Sequence, residues 1–136
     1  MARRLKTGVV GAGVFGAFHA AKHASSERAL LVGIFDVDHD RAEAAAARFQ
    51  TCRFSSFGKL LQSVDAVTIA SPAPTHFRLA REALEAGRHV YVEKPLALTL
   101  READALISLA EGRSLVLQVG HQERFVLAAM GAPRRD

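Results

Sequence analysis

Gly11, Gly13 and Gly16 stand in a G-x-G-x-x-G spacing, and an acid, Asp36, comes 25 residues after the first of them. The spacing alone is generic. Here it follows an apolar run and opens a helical one, the setting in which such a loop takes a dinucleotide's pyrophosphate. Gly11 makes the tight turn, Gly13 lets a pyrophosphate approach the backbone, and Gly16 lets the helix lie close to the sheet. Val14 and Phe15, between the last two glycines, begin a helix whose first N–H groups are free to face phosphate. The plainer reading is a glycine turn that serves packing alone. Asp36 closes the next apolar run, where a carboxylate accepts from the adenosine ribose hydroxyls and repels a 2′-phosphate, which favours NAD over NADP. Its plainer reading is a loop acid capping the following helix, although Asp38 can fill that role. Arg41 keeps the choice open: if it reaches the 2′ side, NADP is tolerated.

Two further groups sit at the ends of apolar runs. Ser71-Pro72-Ala73-Pro74-Thr75-His76 follows the run Asp65 to Ala70. Small residues and prolines make a stiff loop that can lie against a cofactor, with Thr75 or His76 offering polar contacts. An ordinary turn with proline near a helix start explains it equally well. Glu93-Lys94-Pro95 ends the next run. An ammonium there can hydrogen-bond a substrate hydroxyl or a developing carbonyl oxygen, with Glu93 orienting it. The bond before Pro95 is one that can be cis. A salt bridge beside a turn is the competing account. His121, Gln122, Glu123 and Arg124 follow the last apolar run and add polar groups at the same edge, or serve only to solvate a loop. Other chemistries lack their residues. There is no G-x-x-x-x-G-K-[ST] loop, no G-x-S-x-G elbow and no H-E-x-x-H pair. His19 and His23 lie four apart on a helix without the acid a zincin needs, and read as surface or packing histidines; no metal is expected.

The elements that must position these groups follow from the patterning. Leu5–Val10, Ala29–Phe35, Asp65–Ala70, His89–Glu93 and Leu115–Val119 read as short strands, with 51–54 a weak one. Helices are expected from Val14 to His23, from Asp38 to Phe49, from the 72–75 loop to about Ala86, and from Thr99 to Glu111. Ser56–Leu61 reads as a short helix or turn. Gly87 and Gly112 are read as helix stops, and Thr99 with Glu102 as a capping box. Alternating strands and helices, with several strands apolar throughout, predict an α/β fold: a doubly wound, mostly parallel six-stranded sheet in the order 3-2-1-4-5-6, a Rossmann fold.

The 136 residues suffice for one domain. Apolar residues at 49% against 24% charged exclude wholesale disorder. One cysteine, Cys52, builds neither a disulfide framework nor a cysteine zinc site. The net charge of +4 is spread among acids with no basic stripe interleaved with aromatics, which argues against nucleic acid as a partner. No run is long and apolar enough for a membrane span, and the N-terminus lacks signal-peptide features, so a cytoplasmic protein is expected.

The ordered set of motifs resembles the N-terminal domain of the glucose–fructose oxidoreductase, inositol dehydrogenase and rhizopine-catabolism oxidoreductases, from about Lys6 to Phe125. It rests on the glycine loop, Asp36, Ser71 to His76, Ala83 to Val90, Glu93 to Ala97 and Gly120 to Phe125; the stretch from Ala83 to Ala97 is the most specific. The resemblance implies an NAD(P)-dependent oxidoreductase acting on a sugar, cyclitol or related polyol. Lys94 matches the family's active-site lysine, Glu93 its neighbour beside the cofactor, and Thr75 and His76 the loop near the nicotinamide half. Ser71 stands where the family often has threonine. With Pro72 and Gln122 these complete the expected cofactor set. Residues 1–121 are expected to form the dinucleotide domain, and 122–136 a tail or the start of the family's second domain, which completes the proton-transfer set and most substrate contacts. The chain is thus read as a fragment or a short natural product, with the 136 residues alone expected to be catalytically inactive and the oligomeric state left open. The alternative is a non-catalytic dinucleotide-binding or regulatory module.

Overall fold

The computed structural model describes residues 3–120. The expectations placed on His121, Gln122, Glu123, Arg124 and the 122–136 segment lie outside the described residues. Six strands form one all-parallel sheet: β1 (Leu5–Val10), β2 (Ala29–Phe35), β3 (Cys52–Arg53), β4 (Ala66–Ile69), β5 (His89–Glu93) and β6 (Leu117–Gly120). Their order is β3-β2-β1-β4-β5-β6, as the alternation predicted. The helices are α1 (Val14–Ser25), α2 (His39–Arg48), α3 (Phe57–Ser63), α4 (His76–Glu85) and α5 (Leu100–Gly112). A single 3-10 turn, Ala73–Thr75, precedes α4.

Two apolar layers cover the two faces. Val9 and Ile34 pack with Ala20 of α1, with Ala45 and Phe49 at the margin. Val10, Val67, Ile69, Val90 and Val92 pack under α3, α4 and α5 through Leu60, Leu84 and Leu106. Successive strand residues point to opposite faces. Thr7, Thr68, Tyr91 and Glu93 therefore share the α1 side with Val9, and that side is the more polar one.

The two caps expected from the sequence, Asp38 and Thr99, are present, and Ser56 is a third. Asp38, Ser56 and Thr99 accept from the backbone N–H of Arg41, Lys59 and Glu102 at 3.1, 3.2 and 3.1 Å. Gly87, at φ +80°, ends α4, its N–H donating to Leu84 O at 3.0 Å. The stop at Gly112 is displaced: Gly112 stays helical, and Ser114 takes the left-handed conformation at φ 55°. Leu115 N–H then donates back to Ala110 O at 2.9 Å, so β6 begins at Leu117 rather than Leu115. At the opposite edge β3 is two residues long, because the Thr51 N–H closes the end of α2 on Ala46 O instead of pairing in the sheet.

Candidate functional site

The glycine loop joins β1 to α1 at the carboxyl edge of the sheet. Gly11 sits at φ +99°, and a Cβ there would lie 2.8 Å from the Ala70 and Ser71 backbone. A Cβ on Gly16 would lie 1.6 Å from Gly11 O. These two positions are closed by the protein itself. Gly13 is different: a Cβ built on it meets nothing within 4 Å, because it faces a cleft of about 790 Å³. That is within the usual size of a ligand site, roughly 300–1,000 Å³. α1 has neither a capping side chain nor an acid in its first turn, as is also true of α4, whereas α2, α3 and α5 are each capped. An open N-terminus with its macrodipole, beside a bare α-carbon, fits a pyrophosphate.

Asp36 is nearly buried, at 5% exposure. Its Oδ2 accepts from Ala12 N–H at 2.7 Å and lies 3.4 Å from an Arg41 guanidinium nitrogen; its Oδ1 accepts from Asp38 N–H at 2.8 Å. A carboxylate offers about four acceptor positions, so a lone pair on Oδ1 remains for a ribose hydroxyl. Asp38, not Asp36, caps α2. Arg41 is more than half exposed and lines the cleft with Asp36.

Val14, Phe15, Ser71, Pro72, Thr75, His76, Glu93 and Lys94 line the same cleft, while Gly16 lies beneath the loop. Ser71 and Thr75 hydroxyls are 2.7 Å apart, and Thr75 Oγ1 donates to Pro72 O at 2.6 Å. These bonds make the loop stiff. His76 is 1% exposed. Its Nδ1 is 2.7 Å from Pro95 O and its Nε2 is 2.7 Å from Ser71 O. The Lys94–Pro95 peptide is cis. Lys94 is exposed at the cleft, and among the described residues its ammonium has no ion-pair partner.

Glu93 does not orient Lys94. Its carboxylate pairs with Nε2 of His19, on α1, because Glu93 as a strand residue points to the α1 face. His19 and His23 thus pack α1 against the sheet rather than standing on its surface, and among the described residues no group of three or more His, Cys, Asp or Glu that could hold a metal occurs. His23 Nδ1 is 2.8 Å from Thr7 Oγ1, which itself donates to Leu30 O at 3.4 Å; Thr68 Oγ1 is 3.5 Å from His23 Nε2. One tautomer serves this chain throughout: Thr68 donates to Nε2, and Nδ1–H donates to Thr7. Burial, with His19 nearby adding to it, pushes the His23 imidazole down to about 4. Burial and the Glu93 carboxylate push the neighbouring Tyr91 phenol up.

The sequence reading missed the apolar wall of the cleft. Val37, Phe57 and Leu79 line it, with Arg78 at its rim. Val37 is 85% exposed directly after Asp36, and an apolar residue in an open loop after the acid was the signal available. Among the described residues no helix is long and apolar enough to cross a membrane.

Comparison with known proteins agrees with this geometry. The chain is 44% identical over 137 aligned positions to UDP-N-acetylglucosamine 3-dehydrogenase of Acidithiobacillus ferrooxidans, covering 96% of this chain and 43% of that protein. It is 41% identical over 131 positions to inositol 2-dehydrogenase 4 of Saccharopolyspora erythraea, covering 90% and 38%. The crystal structure of GenD2 from gentamicin A biosynthesis, in complex with NAD, superposes with a TM-score of 0.85 at 35% identity over 88% of this chain and 35% of that one. The chain therefore spans about two fifths of the length of the relatives it matches. Residues 5–121 match the model of the oxidoreductase family with an NAD-binding Rossmann fold, so this chain belongs to the glucose–fructose oxidoreductase, inositol dehydrogenase and rhizopine-catabolism oxidoreductase family.

Proposed function

We propose that this chain is the dinucleotide-binding part of an oxidoreductase that moves a hydride between a nicotinamide and a sugar, cyclitol or related polyol. The observation that carries the reading is that Gly13, Asp36 and Lys94 open onto one cleft at the carboxyl edge of the sheet. The uncapped start of α1 and the bare α-carbon of Gly13 receive the pyrophosphate. The free acceptor position of Asp36 holds the adenosine ribose, and its charge disfavours a 2′-phosphate, so NAD is the preferred form. Arg41 is already drawn toward Asp36, which lessens its pull on a 2′-phosphate. When bound, the nicotinamide supplies the hydride acceptor or donor. Lys94 then hydrogen-bonds the reacting hydroxyl and stabilises negative charge on the oxygen as it becomes a carbonyl. The substrate class comes from the relatives, whose names specify an N-acetylglucosamine nucleotide and an inositol. A cytoplasmic setting belongs to the same reading. Calorimetry of the 136-residue chain with NAD+ and NADP+ tests it. Saturable binding, tighter for NAD+, is the expected result, and no binding of either overturns the proposal.

A further inference from the structure

Lys94 is the one residue of the cleft whose direction decides chemistry, and its backbone is fixed on three sides. Before it, the Glu93 carboxylate is held by His19 of α1. At the residue itself, the backbone N–H donates to Gly120 O at 3.2 Å. After it, Pro95 O lies 2.7 Å from Nδ1 of His76, the first residue of α4. His19 and His76 reach this turn from helices on opposite faces of the sheet. His76 also ties in the loop that follows β4, through Nε2 and Ser71 O at 2.7 Å. A histidine that is 1% exposed, with each ring nitrogen at a backbone carbonyl of a different cleft segment, is a tie between those segments.

We infer that His76 is a positioning residue: by donating from Nδ1 to Pro95 O it holds the Lys94 turn in the direction that presents the ammonium to the cleft. It makes no contact with substrate or cofactor through its nitrogens, since both are taken by the chain. The inference rests on the reading of Lys94 given above. Both partners are carbonyl oxygens that accept, so each bond needs a proton on the ring nitrogen facing it; the Nδ1 proton supplies the bond that matters for Lys94, and the Nε2 side sets the loop.

The two amide side chains separate this role from simple core filling. Asn places its NH2 near the position of Nδ1, and Gln near that of Nε2. His76→Asn therefore keeps the Pro95 bond, and His76→Gln keeps only the Ser71 bond. The four lysines, Lys6, Lys22, Lys59 and Lys94, are labelled in the folded 136-residue chain by reductive [13C]methylation, and Lys94 is assigned from the signal missing in K94R. In the ligand-free protein the Lys94 signal of H76N is expected to coincide with wild type, and that of H76Q to be displaced from it. Equal displacement in both variants, or none in H76Q, overturns the inference. Should either variant fail to fold, the wild-type protein alone decides: a 15N–13C coupling across the hydrogen bond from His76 Nδ1 to the Pro95 carbonyl is expected, and its absence overturns the tie. NAD+ calorimetry runs beside these measurements. No NAD+ binding by a wild type whose ligand-free signals follow the expected pattern defeats the cofactor reading and leaves the tie standing.

Discussion

The Asp36 carboxylate accepts a hydrogen bond from the Ala12 backbone N–H at 2.7 Å, so the acid that follows β2 also fixes the glycine loop after β1. Removing it does three things at once. Asp36→Ala loses the ribose acceptor and the repulsion of a 2′-phosphate, and it frees Ala12. Hydrogen bonds to a charged group contribute about 1.5–3 kcal/mol each, so NAD+ affinity is expected to fall by about tenfold or more. NADP+ affinity should fall less, and the preference for NAD+ should vanish. Paired calorimetric titrations check this; an unchanged ratio of the two affinities would place selectivity elsewhere.

Gly13 and Gly16 should separate binding from folding. The Cβ of Gly16→Ala would lie 1.6 Å from Gly11 O, against backbone that cannot yield cheaply. Overpacking typically costs about 1–3 kcal/mol, and G16A is expected to melt several degrees below wild type. Gly13→Ala meets nothing within 4 Å and should melt close to wild type. Its methyl group occupies the space where the pyrophosphate approaches, so NAD+ binding should weaken sharply. Thermal melts and calorimetry on both variants decide the point, and a G13A protein that binds normally refutes this use of the loop.

Much of this arrangement was legible in the sequence. Short apolar runs, ending at a glycine for β1, at Asp36 for β2 and at proline-containing loops for β4 and β5, located those strands, and the G-x-G-x-x-G spacing located the cleft. Edge strands were placed less well, because β3 and β6 have a partner on one side only and helix ends set their limits. The polar face under α1 was hidden, since His19 meets Glu93 across 74 positions and His23 meets Thr68 across 45, and no local pattern records such pairs. The direction of Glu93 was nonetheless available. Val92 is an apolar core residue and strand side chains alternate, so Glu93 points away from that core layer, toward α1.

The lowered His23 pKa ties stability to mild acid. The value falls from 6.5 to about 4 in the fold. Between those limits the unfolded chain binds a proton that the folded chain refuses, so acidification favours unfolding. The stability is complete above about pH 6.5 and is lost as pH falls toward 4, a total of about 3 kcal/mol from a shift of this size. Asp65, lowered mainly by the backbone N–H of Lys6, contributes a loss only at lower pH, below its ordinary 3.8. Urea denaturation from pH 7 to 4.5 should show the decline, and His23→Gln should flatten it. A wild-type profile level across this range would contradict the burial of a neutral His23.

Turnover by the 136 residues alone is expected to stay near background even with NAD+ bound. Oxidising a hydroxyl requires a group to take its proton, and the described residues offer no free one beside Lys94. The Glu93 carboxylate is occupied by His19, the His76 nitrogens face Ser71 O and Pro95 O, and a charged Lys94 donates rather than accepts. Lys94 is also exposed, so water screens its field on any developing oxyanion. A polyol in an open cleft is poorly oriented, and orientation accounts for as much as roughly 7–11 kcal/mol of a barrier in well-oriented models. Lys94→Ala in the same chain should leave NAD+ affinity nearly unchanged, because the pyrophosphate and ribose groups are held by the glycine loop and Asp36. NADH absorbance with a panel of polyols, beside calorimetry of wild type and K94A, measures both quantities. Brisk NADH formation by the wild-type chain would reveal a base within these residues that the geometry does not supply, and a large loss of NAD+ affinity in K94A would make Lys94 a cofactor anchor.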